Sequence, residues 1–271
     1  MINSGKQRLN KCWRVIATGI AFSVFGVGGI VLPLIATPII YVSSFDPFVR
    51  ECRAKLFVHY IMRGFVELMR MLGILTYSVG DRDQYNRPSQ LILANHPTLI
   101  DVVFLIGFIR QADCVIKSSL RSNPFTKIPT GLARYIANGD PESVIAEAAA
   151  SLDRGNSLII FPEGTRSTPG KKLKMQRGAA NIALRAGIPI TPVVITCEPT
   201  TLTKKLPWYR VPSRRFHISM SVCENIDTAM YQREEIPSIA ARHLTRFLQN
   251  YFTQELALNE RFRTRLETTD N

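Results

Sequence analysis

The stretch LILANHPTLID, residues 91–101, is where an apolar run gives way to polar residues. The run LILA is typical of a buried strand, and Asn95, His96 and Asp101 come within the next seven positions. In one interpretation Asn95 caps a helix that begins at Pro97, and His96 points at solvent. In the other, His96 is a catalytic base and Asp101 is its carboxylate partner.

The spacing of His96 and Asp101 sets a condition for such a pair. In a regular helix, positions i and i+5 lie about 140° apart, so the two side chains would not share a face. They can meet if His96 precedes the helix and folds back over its first turn. A carboxylate on Nδ1 then fixes the imidazole tautomer and leaves Nε2 to accept a proton, which would come from a substrate hydroxyl.

After residue 75, short apolar runs alternate with helical stretches. Strands are predicted at 75–79, 91–94, 113–117, 157–161, 190–195 and 215–222, and a C-terminal helical region at 231–258. Asp140 is placed to cap a helix whose first residue is Pro141, and a helix over about 176–186 ends at Gly187. This alternation predicts an α/β domain with a mostly parallel mixed sheet flanked by helices.

A second polar motif, FPEGTRS at 161–167, follows another predicted strand. Ligands bind at the carboxyl ends of strands in such sheets, so we expect both motifs at the same edge. Gly164 permits close backbone approach, Thr165 offers a hydroxyl, and Arg166 offers a planar fork suited to phosphate. Glu163 would orient Arg166 or bind a substrate hydroxyl. Alone, this segment would be interpreted as a solvated basic loop.

Together and in this order, the two motifs resemble those of the PlsC-like glycerolipid acyltransferase family, the 1-acylglycerol-3-phosphate (lysophosphatidate) acyltransferases. The resemblance covers about residues 75–200. Four blocks of the family have counterparts here: NHxxxxD at Asn95, His96 and Asp101, FPEGTRS at 161–167, Lys-x-x-Leu at Lys117–Leu120, and the proline-centred IPITPVVI at 188–195.

The resemblance implies the glycerolipid acyltransferase fold and a direct acyl transfer without an acyl-enzyme. His96 would deprotonate the free hydroxyl of a lyso-phospholipid, and Asp101 would orient His96. That hydroxyl would attack the thioester of acyl-CoA or of an acyl carrier protein, which are co-substrates; no metal or other cofactor is implied. The residues assigned to substrate binding are Asn95, Lys117, Glu163, Gly164, Thr165 and Arg166. The first acceptor implied is 1-acylglycerol-3-phosphate, which gives phosphatidic acid.

One departure from the family pattern concerns the acceptor. The family often has an Arg that aids phosphate binding before the helix leading to FPEGTRS, and Asn138 stands at that place here. Arg134 is a substitute out of register by one turn. The acceptor therefore stays open, and lyso-ornithine lipid and an aryl-polyene lipid intermediate are alternatives.

The N-terminal part of the chain is apolar, with no charged residue over 15–45, which is long enough to span a bilayer. A secretory signal is disfavoured because the run is too long for its apolar region and has no A-x-A cleavage site. Pro33 and Pro38 would kink or break a helix there. Because basic residues flank both ends, the run either spans the membrane or forms a hairpin dipping into one leaflet with both ends cytoplasmic.

Residues 56–72 predict an amphipathic helix, which would lie in the membrane interface or pack on the soluble core. We therefore divide the chain into a membrane-anchoring helical region, 1–74, and an acyltransferase domain, 75–271. The expected location is the inner (cytoplasmic) membrane, with the catalytic domain facing the cytoplasm and in contact with the bilayer.

The composition narrows the classes of partner. Lys and Arg number 34 against 21 Asp and Glu, and the resulting net charge of +13 favours anionic partners. Nucleic-acid binding is disfavoured because the basic residues are spread along the chain and no reader motif is present in the sequence. A non-catalytic basic membrane-binding protein is the rival from another class. The five scattered cysteines, without CxxC spacing, indicate reduced thiols facing a cytosol.

Overall fold

The computed structural model describes residues 2–168, 170–204 and 206–269, with side chains described between residues 9 and 260 of these ranges. Its centre is a seven-stranded sheet in the order β1-β7-β6-β2-β5-β3-β4. The strands are β1 Leu75–Val79, β2 Leu91–Ala94, β3 Ala112–Lys117, β4 Ile136–Asn138, β5 Ser157–Ile160, β6 Ile190–Glu198 and β7 Phe216–Val222. Every neighbouring pair is parallel except β6 and β7, so the predicted mostly parallel mixed sheet is confirmed.

All six predicted strands are present, with ends shifted by at most a few residues. The strand that the sequence did not predict is β4, which has three residues and pairs with β3 at the edge of the sheet. A three-residue strand is too short to show the alternation or apolar run by which strands are recognised. Its last residue, Asn138, stands opposite Lys117, which places both at the same end of the sheet.

Helices cover both faces of the sheet. They are α1 Ile2–Ser43, α2 Pro47–Met71, α3 Asp101–Phe108, α4 Ser119–Ser122, α5 Lys127–Leu132, α6 Pro141–Asp153, α7 Arg177–Ala186, α8 Ala229–Gln232 and α9 Pro237–Thr269. The predicted caps are present: Asp140 accepts a hydrogen bond from the Ser143 amide, and Gly187 ends α7 in the left-handed conformation. The C-terminal helix runs further than the predicted 231–258, and its first turn begins at Pro237.

Alternate residues of the central strands point into two separate hydrophobic cores. Leu91 and Leu93 pack with α6, α7 and α9 on one face of the sheet. Ile92 and Ala94 pack with α1, α2 and α3 on the other. Because both faces are covered, the central strands are apolar on both sides, as parallel strands usually are.

The apolar N-terminal run forms one helix, and the expectation of a break at the prolines is wrong. Helix α1 continues through Pro33 and Pro38. Each proline removes a single backbone hydrogen bond, and the Thr37 hydroxyl donates to the Pro33 carbonyl at 2.6 Å, within the affected turn. The chain reverses after Ser43, where Asp46 caps α2. The helical pair is therefore made by α1 and α2 together, and not by the apolar run folded on itself.

Residues 56–72 belong to α2, which packs on the α/β core. Two of its polar side chains contact the protein: His59 Nδ1 lies 2.9 Å from the Ile106 carbonyl, and the Arg63 guanidinium lies over the Phe108 ring. Gly107 permits this close approach, because a Cβ there would meet the Arg63 backbone nitrogen at 3.1 Å. The sequence left two alternatives for this helix, in the membrane interface or packed on the core, and in the structure it packs on the core. The division of the chain between residues 74 and 75 stays a prediction.

Candidate active site

The two polar motifs meet at the carboxyl edge of the sheet. NHPTLID follows β2, FPEGTRS follows β5, and these two strands are parallel neighbours near the middle of the sheet. The Ser167 amide, at the end of the second motif, donates a hydrogen bond of 2.7 Å to the His96 carbonyl in the first. Residues about 70 positions apart in the sequence therefore form one site, as expected for adjacent parallel strands.

His96 and Asp101 are in contact through the geometry that their spacing required. His96 lies before α3, Asp101 is the first residue of that helix, and His96 Nδ1 is 2.8 Å from Asp101 Oδ2. The competing interpretation, in which Asn95 caps a helix from Pro97, is wrong because the helix begins at Asp101. With Nδ1 engaged by the carboxylate, Nε2 is the nitrogen left to exchange a proton with a substrate.

Asp101 is completely buried and receives hydrogen bonds at both oxygens. The Thr98 amide donates to Oδ2 at 2.7 Å, and the Thr98 hydroxyl donates to Oδ1 at 2.5 Å. Burial raises the pKa of Asp101, while the hydrogen bonds from His96 and Thr98 oppose that rise. The donors hold the carboxylate in a fixed position, where it stabilises a positive charge on the imidazole.

The imidazole ring of His96 is also held from the side. It stacks on the Phe161 ring, with centroids 4.2 Å apart and an interplanar angle of 24°. Its side chain is 18% exposed, in contrast to its fully buried partner Asp101. His96 lines a cavity of about 460 Å³ at the sheet edge. The ring is therefore oriented by the protein and open to a ligand on one side.

Asn95 binds to the backbone of a neighbouring strand and is not part of the cavity wall. Its side-chain amide donates to the Ile195 carbonyl at 2.8 Å and accepts from the Ile195 amide at 2.7 Å. This pair of hydrogen bonds fixes the end of β2 to β6, just before His96. The structure gives Asn95 this supporting contact, and its substrate-binding role stays a prediction.

Glu163 joins the two motifs. Its Oε1 accepts from the His96 amide at 3.0 Å and from the Ser167 hydroxyl at 2.8 Å. Burial raises the pKa of Glu163, and the hydrogen bonds from His96 and Ser167 oppose that rise. The structure does not place Glu163 as the partner that orients Arg166: within the described residues, that guanidinium donates to the carbonyls of Leu202 and Thr203. A substrate-binding role for Glu163 stays a prediction.

Arg166 is held by the backbone of a distant segment. Its Nη1 donates to the carbonyls of Leu202 and Thr203, at 3.0 and 3.1 Å. Sequence reasoning missed these partners, which lie in the loop after β6 and have no local signal. Arg166 nevertheless lines the cavity, and so do Gly164 and Thr165. Gly164 adopts a left-handed φ of 65°, which glycine tolerates best.

Lys117 and Asn138 line the same cavity at the ends of β3 and β4. Asn138 thus stands in the site, as its place in the sequence suggested. Arg134, the proposed substitute for an arginine there, instead forms an ion pair with Glu51 at 3.8 Å and is not part of the cavity wall. Among the described residues, no group of three His, Cys, Asp or Glu side chains is placed to hold a metal ion.

Comparison with known proteins agrees with the motifs and the fold. A model of the acyltransferase family matches residues 76–196. This matched segment contains both motifs, at 95–101 and 161–167, and is similar to the acyltransferase family. A 1-acyl-sn-glycerol-3-phosphate acyltransferase from Pseudomonas aeruginosa is 28% identical over 159 residues, which is 56% of this chain and 61% of that protein. The 1-acyl-sn-glycerol-3-phosphate acyltransferase from Saccharomyces cerevisiae is 30% identical over 194 residues, which is 66% of this chain and 61% of the yeast protein.

The crystal structure of the 1-acyl-sn-glycerophosphate acyltransferase PlsC from Thermotoga maritima is similar over 89% of this chain and 97% of that one. The TM-score is 0.61 at 20% sequence identity, which shows that the two share a fold. The chain spans 49–61% of the length of the first curated relatives that it matches.

A second cavity, of about 550 Å³, lies beside the first. Its lining comes from α1, α2, α3 and the segment around α5, and it is almost entirely apolar. Val102, Ile116 and Leu120 line both cavities, so the two adjoin. The chamber that contains His96 and the cationic side chains of Lys117 and Arg166 thus borders a chamber suited to a hydrocarbon chain.

Two residues of the site were not identified from the sequence. Thr98 fixes Asp101 through two hydrogen bonds, and its spacing, Thr-x-x-Asp, matches a capping box that could have been recognised. Lys204 lines the cavity next to Arg166. It lies beyond the matched motifs, in a loop whose position only the folded chain reveals.

Proposed function

We propose that this chain is an O-acyltransferase that moves a fatty acyl group from a thioester donor to the free hydroxyl of a lyso-phospholipid. The first candidate acceptor is 1-acylglycerol-3-phosphate, the substrate in the names of the relatives. The observation that carries the proposal is the His96–Asp101 pair, whose imidazole lines a cavity with cationic side chains in its wall, next to an apolar cavity. That arrangement suits a substrate with a charged head and a hydrocarbon tail.

The chemistry follows from the positions of the side chains. His96 Nε2 accepts the proton of the acceptor hydroxyl as its oxygen attacks the thioester carbonyl, and Asp101 stabilises the imidazolium. The tetrahedral intermediate collapses, the carbon–sulfur bond breaks, and the imidazolium returns its proton to the thiolate. The products are an ester and a free thiol, and His96 is restored without an acyl-enzyme.

Binding of the acceptor rests on the remaining cavity wall. Arg166 and Lys117 would attract the phosphate, and the apolar cavity would hold an acyl chain. The thioester is supplied by acyl-CoA or an acyl carrier protein, which are substrates rather than resident cofactors. Because Asn138 contributes no charge to the wall, a lyso-ornithine lipid or an aryl-polyene lipid intermediate is a second candidate acceptor.

The N-terminal helix gives the enzyme a place at the membrane that holds its lipid substrate. Residues Leu9–Ser43 of α1 are long and apolar enough to cross a bilayer, and most of their side chains are not buried by the rest of the chain. They expose large apolar groups such as Ile16, Val27, Leu34 and Val42. We place the protein at the inner membrane with its active site facing the cytoplasm, where thioester donors are made.

The test is turnover by the purified full chain in detergent or in vesicles. Acceptors with and without a phosphate, including 1-acylglycerol-3-phosphate and lyso-ornithine lipid, are each offered with acyl-CoA and with acyl carrier protein, and products are read by mass spectrometry. We expect phosphatidic acid to form from the first acceptor. Binding to vesicles without an acylated product from any donor–acceptor pair would instead support the non-catalytic membrane protein.

A further inference from the structure

The described Lys and Arg side chains are the charged groups that line the cavity at His96. Lys117, Arg166 and Lys204 line it, and no described Asp or Glu side chain is among its lining residues. Such a chamber attracts an anion. The first two cations lie in motifs that the sequence identifies, whereas Lys204 lies outside them.

The backbone that carries Lys204 is firmly positioned. Thr201, Leu202 and Thr203 are buried, and the Leu202 carbonyl accepts from the Leu99 amide at 3.0 Å. Leu202 has a φ of 52°, a left-handed conformation that a leucine keeps only when its surroundings fix it. This segment is therefore anchored to the first motif, and Lys204 enters the cavity from a defined point.

The same segment orients Arg166. Both recorded hydrogen bonds of that guanidinium within the described residues come from Nη1, which donates to the carbonyls of Leu202 and Thr203. The opposite edge, formed by Nε and Nη2, is the side from which a guanidinium can bind two oxygens of one phosphate. A phosphate monoester has a third terminal oxygen, and a flexible ammonium group can reach it.

We infer that Lys204 is a further substrate-binding residue, which binds a phosphate monoester together with Arg166. The inference rests on the proposed function and adds a residue to its acceptor site. Two substrates could supply the phosphate: the headgroup of 1-acylglycerol-3-phosphate and the 3′-phosphate of acyl-CoA. Both present the same dianion to the cavity, so the experiment has to separate them.

The substitution Lys204→Met removes the ammonium and keeps most of the apolar stem. We expect the KM for the phosphate-bearing substrate to rise roughly 10- to 100-fold, the value of a hydrogen bond to a charged group, with little change in kcat. Lys204→Arg should restore most of the affinity. The matched control is Lys172→Met, an exposed lysine that also follows FPEGTRS but does not line the cavity.

Measurements of KM with each substrate identify the source of the phosphate. A higher KM for 1-acylglycerol-3-phosphate assigns Lys204 to the acceptor. A higher KM for acyl-CoA, but not for its analogue without the 3′-phosphate, assigns it to the donor. Unchanged KM values for both substrates in an active Lys204→Met enzyme contradict the inference and leave the proposed function intact.

A binding measurement keeps the inference testable without turnover. Titration calorimetry of short-chain 1-acylglycerol-3-phosphate and of CoA into the full chain in micelles should show weaker binding of one of them to Lys204→Met than to Lys172→Met. Equal binding of both ligands to the two variants would contradict the inference. Absence of product from the wild-type chain would contradict the proposed function alone.

Discussion

Two buried aspartates have similar surroundings in this molecule, but we expect one to act in the reaction and the other to stabilise the fold. Asp101 contacts His96 and the hydroxyl of Thr98, whereas Asp113 contacts Lys55 and the hydroxyl of Ser151. Burial raises the pKa of both carboxyls, and in each case the nitrogen partner, His96 or Lys55, and the hydroxyl oppose the rise. By burial and hydrogen bonding alone, the two sites would be hard to tell apart.

The two aspartates differ in the exposure of the side chains that they contact. Lys55 is 1% exposed and lies between Asp113 on β3 and Glu51 on its own helix, at 2.9 and 2.5 Å. Burial by itself would raise the pKa of Glu51, but Lys55, with Arg154 and Arg134, holds it below its ordinary value. This cluster is closed to ligands and joins α2 to the sheet. A buried aspartate indicates a reaction site only when it orients a base that can meet a substrate, as Asp101 orients His96 at the cavity wall.

The largest effect on acyl transfer is expected for substitution of His96, the partly exposed partner of Asp101. In His96→Ala the base is removed while the buried residues remain, so acyl transfer should fall by at least about 10²- to 10⁴-fold with the fold preserved. Steady-state turnover and the circular dichroism melting curve measure the two quantities. An active His96→Ala enzyme would exclude the proposed mechanism.

At the second site the partner should control stability instead. Lys55→Met leaves Glu51 and Asp113 buried without their shared cation, which costs about 3–5 kcal/mol in the free energy of unfolding. Activity per folded molecule should be unchanged, because the cluster does not touch the cavity. Lys171→Met, at an exposed lysine, is the control for charge. A stable but inactive Lys55→Met protein would show that the cluster takes part in the reaction.

The same substitution at both aspartates sharpens the contrast. Asp101→Asn keeps the shape but places an amide against His96 Nδ1, so the tautomer is no longer fixed and the rate should fall roughly 10²-fold. Asp113→Asn should cost about 1–3 kcal/mol of stability and leave the rate alone. Chemical denaturation and turnover, measured on both variants, test the pair. Equal rate losses would mean that the two carboxylates do not differ in role.

The sequence could predict the first site and not the second, for a physical reason. His96 and Asp101 are five residues apart at a strand end, so their spacing raised the pair as a hypothesis, which the second motif and the resemblance to one family then favoured. Lys55 and Asp113 are brought together from 58 positions apart by the packing of α2 on the sheet, which no local pattern encodes. The same holds for Arg166, whose orientation depends on carbonyls 36 and 37 positions later.

The fold shows the same limit. Strands with apolar runs of four or more residues were predictable, because burial of both faces leaves a direct trace in the sequence. The three-residue β4 leaves no such trace. The prediction for helix α1 was wrong for the opposite reason, because proline has a strong local preference against helix interiors. Pro33 and Pro38 are nevertheless accommodated in a helix with many other hydrogen bonds.

The smallest difference is expected at the two hydroxyls. Thr98→Val and Ser151→Ala each remove a hydrogen bond to a buried carboxylate, so each should lose about 1.5–3 kcal/mol of stability. Their effects on catalysis should differ, because Thr98 fixes the carboxylate that orients His96, whereas Ser151 contacts a carboxylate remote from the cavity. Thr98→Val should therefore lower kcat with little change in KM, and Thr98→Ser should restore it. A Ser151→Ala variant with an equal loss of kcat would show that general softening of the fold, and not the orientation of His96, limits the reaction.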